Sequence, residues 1–408
     1  MRIAITGATG VVGRHLLFEF MKQHVGRLDD LEVLILGRDG DGVPLKDRME
    51  EVVLQDGSPY VLGPGHGPDG LADFCRARVR CINVDLDRNG LGLAPLDLAL
   101  LRAAPIDCFL HCAALTDLRN TPTVAAAARR TNLLGTRRML ALVARLRVRE
   151  FDYIGSAYCC GRASGTIAPD YANEKDQFRN PYELTKLQGE QAVRQAALRT
   201  GLRCRFFRPS VVCGRLIEPP LGSISKFGVI YSVGALGARL RRRLQADGPQ
   251  AAPDPGVIRA CCNPRGGLNV VPADFAAKAI YQVIAQNDPG ESYHVVSDRE
   301  TPNALLIPLL LQGLGVTRCE LVERMPERKS RLEALCYRSG VGALLPYVCA
   351  EEVTFDTASI RPVLERAGLQ CPSIDAEALR ALMAYAAERN FGLEPAELER
   401  AAAVRHVA

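Results

Sequence analysis

The chain has 408 residues, 48% of them hydrophobic and 24% charged; this is enough for a sizeable core and excludes a disordered or low-complexity protein. A net charge of +5, spread along the chain, is too mild to argue for a nucleic-acid partner; it fits a solvated surface or a ligand that bears phosphate. The fourteen cysteines include no CxxC and the six histidines no HxxxH, so free thiols in a reducing cytoplasm are expected, with no disulfide framework and no metal site.

The first residues already read as structure. Arg2–Thr6 is a strand with no room for a secretory signal before it, and no run of about 18 uncharged apolar residues predicts a membrane-spanning helix. Further strand-like runs follow at Glu32–Gly37, Val79–Asn83, Cys108–Cys112, Glu150–Gly155, Arg203–Arg208 and Tyr293–Val296. Amphipathic segments such as Val12–His24, Thr123–Val148 and Pro181–Arg199 lie between them. The alternation predicts an α/β fold, a Rossmann-type doubly wound parallel sheet. Residues 38–78, rich in Gly and Pro, read as a long insertion. A second interruption, 214–268, holds a helix-like Lys226–Leu244. Beyond residue 300 the pattern is mostly helical, and it ends in the Ala/Glu/Arg-rich stretch Ile374–Val407. The expected organisation is a dinucleotide-binding domain over 1–215, with a strand returning near 268–297. Residues 216–267 and 298–408 would form a smaller, mostly helical substrate-binding portion.

Gly7-Ala8-Thr9-Gly10-Val11-Val12-Gly13 follows the first strand and opens a helix. The first glycine permits a tight turn, the second a close approach of backbone to a pyrophosphate, and the third close packing of helix on strand. Free N–H groups and the helix dipole then favour phosphate. Gly7, Thr9, Gly10, Val11, Val12, Gly13 and Arg14 are therefore candidate cofactor residues. The second strand ends at Gly37-Arg38, where an acid would bind a ribose 2′-OH and an Arg accommodates a 2′-phosphate. Arg38, with Arg14, favours NADP(H); Asp39 beside it leaves NAD(H) open.

Tyr182 and Lys186 form a YxxxK pair. Asn180 suits an N-cap and Pro181 the first helical position, so both side chains fall on one helix face. A neighbouring ammonium should lower the phenol below its usual value of about 10 and let Tyr182 exchange a proton with a substrate oxygen. Ser156 follows the fifth strand, at the carboxyl edge where α/β sheets bind ligands, and its hydroxyl can hold the same oxygen. Arg239, Arg241, Arg242 and Arg243 cluster near the end of a predicted helix. They read either as a solvated cationic helix end or as a contact for a phosphopantetheine or carrier surface.

In this order, the motifs over about residues 1–300 resemble those of the extended short-chain dehydrogenase/reductases. Thr6–Gly13 is similar to their TGxxGxxG. Asp85-Leu86 is similar to the acidic dipeptide beside the adenine, and His111-Cys112-Ala113-Ala114 to the HxAA segment. Thr131-Asn132 with Gly135-Thr136 resembles the NxxGT helix, and Arg208-Pro209-Ser210 the segment bordering the nicotinamide. The resemblance implies cofactor contacts at Asp85, Leu86, Cys112, Ala113, Ala114, Tyr182, Lys186, Pro209 and Ser210. It also implies a catalytic set of Ser156, Tyr182 and Lys186, with Asn132 supporting the Tyr–Lys helix through a water. Leu91-Gly92-Leu93, Ser156–Gly161, Phe178–Lys186 and Leu268–Asp274 resemble the thioester reductase and fatty acyl reductase branch, with Ser156 where Thr is usual and Gly155 where Ser is usual. This implies reduction of an acyl thioester, on coenzyme A or an acyl carrier protein, to aldehyde or alcohol by a stand-alone enzyme. The oligomeric state is left open, a homodimer included. Rival readings are another redox or isomerising enzyme of the same fold, such as a ketone, aldehyde or hydroxysteroid dehydrogenase or a nucleotide-sugar epimerase or dehydratase, and a non-catalytic NAD(P)-binding regulator. The intact Tyr/Lys pair speaks against the regulator.

Overall fold

In a computed structural model, residues 1–40, 42–63, 69–247, 257–397 and 399 are described. Seven parallel strands form the central sheet: β1 (Arg2–Thr6), β2 (Glu32–Gly37), β3 (Val79–Asn83), β4 (Cys108–His111), β5 (Glu150–Ile154), β6 (Arg203–Pro209) and β7 (Ser292–Val295). Their spatial order is β3-β2-β1-β4-β5-β6-β7. The register aligns Ile5 with Ile35 on one side and with Leu110 on the other. Central strands covered on both faces read as near-continuous apolar runs, and β1, β4 and β5 are buried along their whole length. The chain order reverses between β1 and β4. In an open α/β sheet this switch point forms the ligand crevice at the carboxyl ends of the strands.

Residues 38–78, the expected long insertion, carry helices among their described residues: Leu45–Glu51, Ser58–Leu62 and Asp69–Arg78, with a wide helical turn at Val52–Gly57. Leu45, Met49, Val53, Tyr60, Leu71 and Phe74 join the core beside helix Val11–Gln23. Gly57 lets the segment pack closely, since a Cβ there would lie 2.8 Å from the Phe18 ring. The expected helix Thr123–Val148 is Pro122–Ala128, a π-helical turn Arg129–Gly135, and Thr136–Val143. The expected helix Lys226–Leu244 runs instead over Ser232–Asp247. Val229, at φ +51°, turns the chain just before it.

Beyond residue 300 the helices are joined by short strands that the sequence pattern did not reveal. Thr301–Pro302 pairs with Gly267–Leu268, Arg318–Val322 with Val257–Cys261, and Val353–Phe355 with Gly165–Ile167. A second apolar core joins Ala157, Tyr158 and Cys160, just after β5, to residues from Ile230 through Leu382. All fourteen cysteines are free. Among the described residues, no helix is long and apolar enough to cross a membrane. The side chain of Arg243 and the end of the last segment, 400–408, lie outside the described residues, as does 248–256 of the second interruption.

Candidate active site

The glycine turn sits at the carboxyl end of β1. Gly7 adopts φ +72°, and a Cβ on it would lie 2.7 Å from the Ala113 nitrogen. A Cβ on Gly13 would collide with the Gly7 carbonyl. The Gly10 N–H donates to Gly7 O at 2.8 Å, and Gly10 precedes helix Val11–Gln23 with no side-chain cap. The orphan amides of this helix start therefore face a turn whose residues Gly7, Thr9, Gly10, Val11, Val12 and Arg14 are all partly exposed. Ser210, after β6, buries a hydroxyl that finds no protein partner. An open cradle that a Cβ would fill and an unpaired buried hydroxyl at the same edge of the sheet fit a dinucleotide.

At the end of β2 the two neighbours differ. Asp39 is committed to the fold, its carboxylate accepting from the Leu45 N–H at 2.8 Å and Asn83 Nδ2 at 3.0 Å. Arg38 is exposed. Arg14 is held by Asp56 at 2.9 Å and by Thr9 O at 3.1 Å. Asp85 turns its own loop by accepting from the Asp87 N–H at 2.9 Å. Leu86 rests against Gly135, where a Cβ would come within 2.9 Å of it; this accounts for the glycine of the NxxGT segment.

A chain of hydrogen bonds runs beneath the turn. The Ala113 N–H donates to Thr6 Oγ1, which lies 2.9 Å from His111 Nδ1. His111 Nε2 lies 3.1 Å from Thr136 Oγ1, and that hydroxyl donates to Asn132 O at 2.6 Å. The Thr136 oxygen is left to accept, so Nε2 carries the proton and Nδ1 accepts from Thr6. Burial pushes the imidazole down to about 3, keeping it neutral. Asn132 makes direct bonds to two segments. Its Oδ1 accepts from the Leu115 N–H at 2.8 Å, and its Nδ2 donates to Leu115 O at 3.1 Å and to Thr185 Oγ1 at 3.0 Å. It thereby ties the segment after Cys112-Ala113-Ala114 to the helix of Tyr182. The HxAA and NxxGT segments marked these residues; the roles of His111 and Thr136 were not legible from them.

Helix Pro181–Thr200 begins where its sequence signals place it, with Asn180 Oδ1 accepting from the Glu183 N–H at 3.1 Å. Tyr182 lies near enough to Ser156 for that hydroxyl to draw the phenol's pKa down. Ser156 Oγ accepts from the Tyr158 N–H at 3.3 Å. Burial pushes the Tyr182 phenol up to about 12, with the Ser156 hydroxyl pulling the other way. The expected lowering by Lys186 is not found, because the ammonium is turned to Ile154 O at 2.5 Å and lies 4.4 Å from the Tyr153 ring centroid. Burial lowers Lys186 itself to about 8. Pro209 is buried after a fully buried Arg208, which Glu190 holds from the same helix at 2.8 and 3.0 Å. Asp274, the acid of the Leu268–Asp274 segment, accepts from the backbone N–H groups of Leu216, Ile217 and Glu218. It fixes the chain as it leaves the sheet. Of the arginine cluster, Arg239 pairs with Glu397 at 3.6 Å and Arg241 donates to Gly313 O at 2.6 Å, so both tie their helix to neighbouring segments.

The fold and the turn together define a Rossmann-type enzyme that binds NAD(P)(H). The family model described as male sterility protein matches residues 5–280. The chain belongs to that family, within the extended short-chain dehydrogenase/reductases, and is an NAD(P)-dependent enzyme of that type. No curated protein matches the sequence. Among solved structures, the terminal R domain from the myxalamid PKS-NRPS biosynthetic pathway superposes with a TM-score of 0.69 at 21% identity, covering 96% of this chain and 91% of that one. A thiolation-reductase di-domain from an archaeal non-ribosomal peptide synthetase gives 0.64 at 16%, covering 96% and 76%. UDP-glucuronic acid 4-epimerase from Bacillus cereus, in complex with NAD, gives 0.57 at 15%, covering 97% and 99%. At these identities the likeness is one of fold.

Proposed function

We propose that the protein is an NADPH-dependent reductase of an acyl thioester, carried on coenzyme A or an acyl carrier protein, which yields the aldehyde or the alcohol. The observation that carries this reading is the buried Tyr182 phenol, drawn down in pKa by the neighbouring Ser156 hydroxyl, in a fold that also carries the open glycine turn and the unpaired Ser210 hydroxyl. The cofactor, when bound, supplies the hydride. Gly7, Thr9, Gly10, Val11, Val12 and Gly13 would hold its pyrophosphate, Asp85, Leu86, Cys112, Ala113 and Ala114 its adenosine side, and Pro209 and Ser210 its nicotinamide side. Arg38, free where Asp39 is committed, supports a 2′-phosphate.

Ser156 and Tyr182 donate hydrogen bonds to the thioester oxygen, where negative charge develops. A phenol raised to about 12 stays protonated at neutral pH and delivers its proton to that oxygen, the direction a reduction needs. Collapse of the resulting hemithioacetal expels the thiol. Lys186 holds the end of β5 through the Ile154 carbonyl and would contact the cofactor ribose when the cofactor is bound. Support for a thioester comes from the branch-level motifs and from the fold likeness to the two reductase-containing structures.

The test is NADPH oxidation against acyl thioesters, aldehydes and ketones, with products identified by mass. Tyr182→Phe is expected to lose at least about 100-fold in turnover while NADPH still binds. Turnover retained in that variant, or ketones reduced and thioesters left untouched, refutes the proposal.

A further inference from the structure

The first turn of the Tyr182 helix is capped from a distance as well as from within. Tyr347 lies 167 residues beyond Asn180, yet its hydroxyl accepts from Asn180 Nδ2 at 2.7 Å. Asn180 is the N-cap of the Tyr182 helix, its Oδ1 accepting from the Glu183 N–H, while the Glu183 carboxylate accepts from the Arg179 N–H at 2.9 Å. The Tyr347 ring stands edge-on to Tyr158 at 5.2 Å, and the Arg179 guanidinium lies 5.2 Å from its centroid. Arg179 Nε donates to the neighbouring Pro346 carbonyl at 3.1 Å. On its far side the same strap belongs to the C-terminal portion. Val348 O accepts from the Asn263 N–H and from Asn303 Nδ2, both at 2.8 Å, and Ala350 O accepts from Asn263 Nδ2 at 3.1 Å. Residues 346–350 thus join the helix that carries Tyr182 to the portion that would hold substrate.

We infer that Tyr347 is a positioning residue: it fixes the turn from which Tyr182 projects, and so couples the C-terminal portion to proton delivery. The inference rests on the reading of Tyr182 as the proton donor. A helix start leaves its first amides without intrahelical partners, so the side chains that satisfy them also set where the first turn sits. A displacement of about 1 Å at a reacting group can cost about 100-fold in rate. Tyr347 touches neither Ser156 nor the glycine turn, so its effect falls on turnover rather than on cofactor binding.

The test is Tyr347→Phe, which keeps the ring and removes the hydroxyl. The expected result is a fall in kcat of about tenfold or more, with KM for NADPH unchanged. Tyr293→Phe is the comparison. It removes a tyrosine hydroxyl bonded to Asp288 at 2.6 Å on β7, and is expected to keep full kcat at a similar loss of melting temperature. Unchanged kcat in Tyr347→Phe, or an equal fall in Tyr293→Phe, overturns the inference. Amide hydrogen exchange in the cofactor-free protein tests the coupling without substrate. Tyr347→Phe should speed exchange at Glu183 by about tenfold or more, and unchanged exchange also overturns it. If the unmodified protein reduces no thioester, the functional reading falls, while the exchange experiment still decides whether Tyr347 sets the helix start.

Discussion

Replacing Asn132 with Ala tests the link between the cofactor loop and the Tyr182 helix. Asn132 is 1% exposed and makes three side-chain hydrogen bonds, two to the Leu115 backbone and one to Thr185 Oγ1. Alanine leaves the Leu115 N–H and C=O without these partners. The Thr185 hydroxyl still donates to Pro181 O at 2.7 Å and loses only a donor to its lone pair. Each orphaned buried group costs about 1–3 kcal/mol. Leu115 is half-buried, so water offsets part of this, and a loss of about 2–4 kcal/mol is expected. Urea unfolding at constant m-value measures it. Turnover should fall with stability, because Thr185 lies between Tyr182 and Lys186. Asn132→Asp is expected to do no better, since a carboxylate restores the acceptor for Leu115 N–H but sets a negative charge against the Leu115 carbonyl. A loss below about 1 kcal/mol in Asn132→Ala, with kcat unchanged, would refute the bracing role.

Arg38→Ala should weaken NADPH by about tenfold or more and leave NADH unchanged, a bidentate phosphate contact being worth about 1.5–3 kcal/mol; equal losses measured by fluorescence titration would remove the 2′-phosphate assignment. Glu190→Gln leaves the fully buried Arg208 guanidinium without its anion and should cost about 3–5 kcal/mol in denaturant unfolding, whereas a loss under 1 kcal/mol would show that water reaches the pair. His111, lowered from 6.5 to about 3 by burial, is neutral in the fold and charged in the unfolded chain at acid pH. Its contribution is therefore complete above about pH 6.5 and is lost as pH falls toward 3, at about 1.4 kcal/mol per pH unit. The protein should consequently lose stability between pH 6 and 4 more steeply than His111→Asn, and parallel curves for the two would contradict the buried neutral imidazole.

The central sheet was legible because its strands, the edge strand β3 excepted, are buried along most of their length. Such strands leave continuous apolar runs, and the expected ends fall within a residue of those observed for all seven. The glycine turn and the start of the Tyr182 helix were legible for the same kind of reason. Gly7 needs a positive φ, Gly13 has no room for a Cβ, and Asn180-Pro181 caps a helix by contacts within four residues. Where the sequence misled, a local signal competed with burial elsewhere. The glycines and prolines of 38–78 concealed helices that exist because Met49, Val53, Tyr60 and Phe74 have the sheet's flank to bury against. The Tyr–Lys spacing correctly put both side chains on one helix, yet burial raised the phenol, and the Ile154 carbonyl drew the ammonium away. Asn132 on Thr185, Asp274 on the 216–218 amides and Tyr347 on Asn180 are contacts across 50 to 170 residues, and no periodicity encodes them. Local conformation and strand burial are written in neighbouring residues, so the sequence alone determined the cofactor turn, the sheet and the helix that presents Tyr182. Protonation and orientation depend on what chain folding buries and brings within 3 Å, so the tertiary structure decided how the candidate site is braced and in which direction burial moves its phenol and its ammonium.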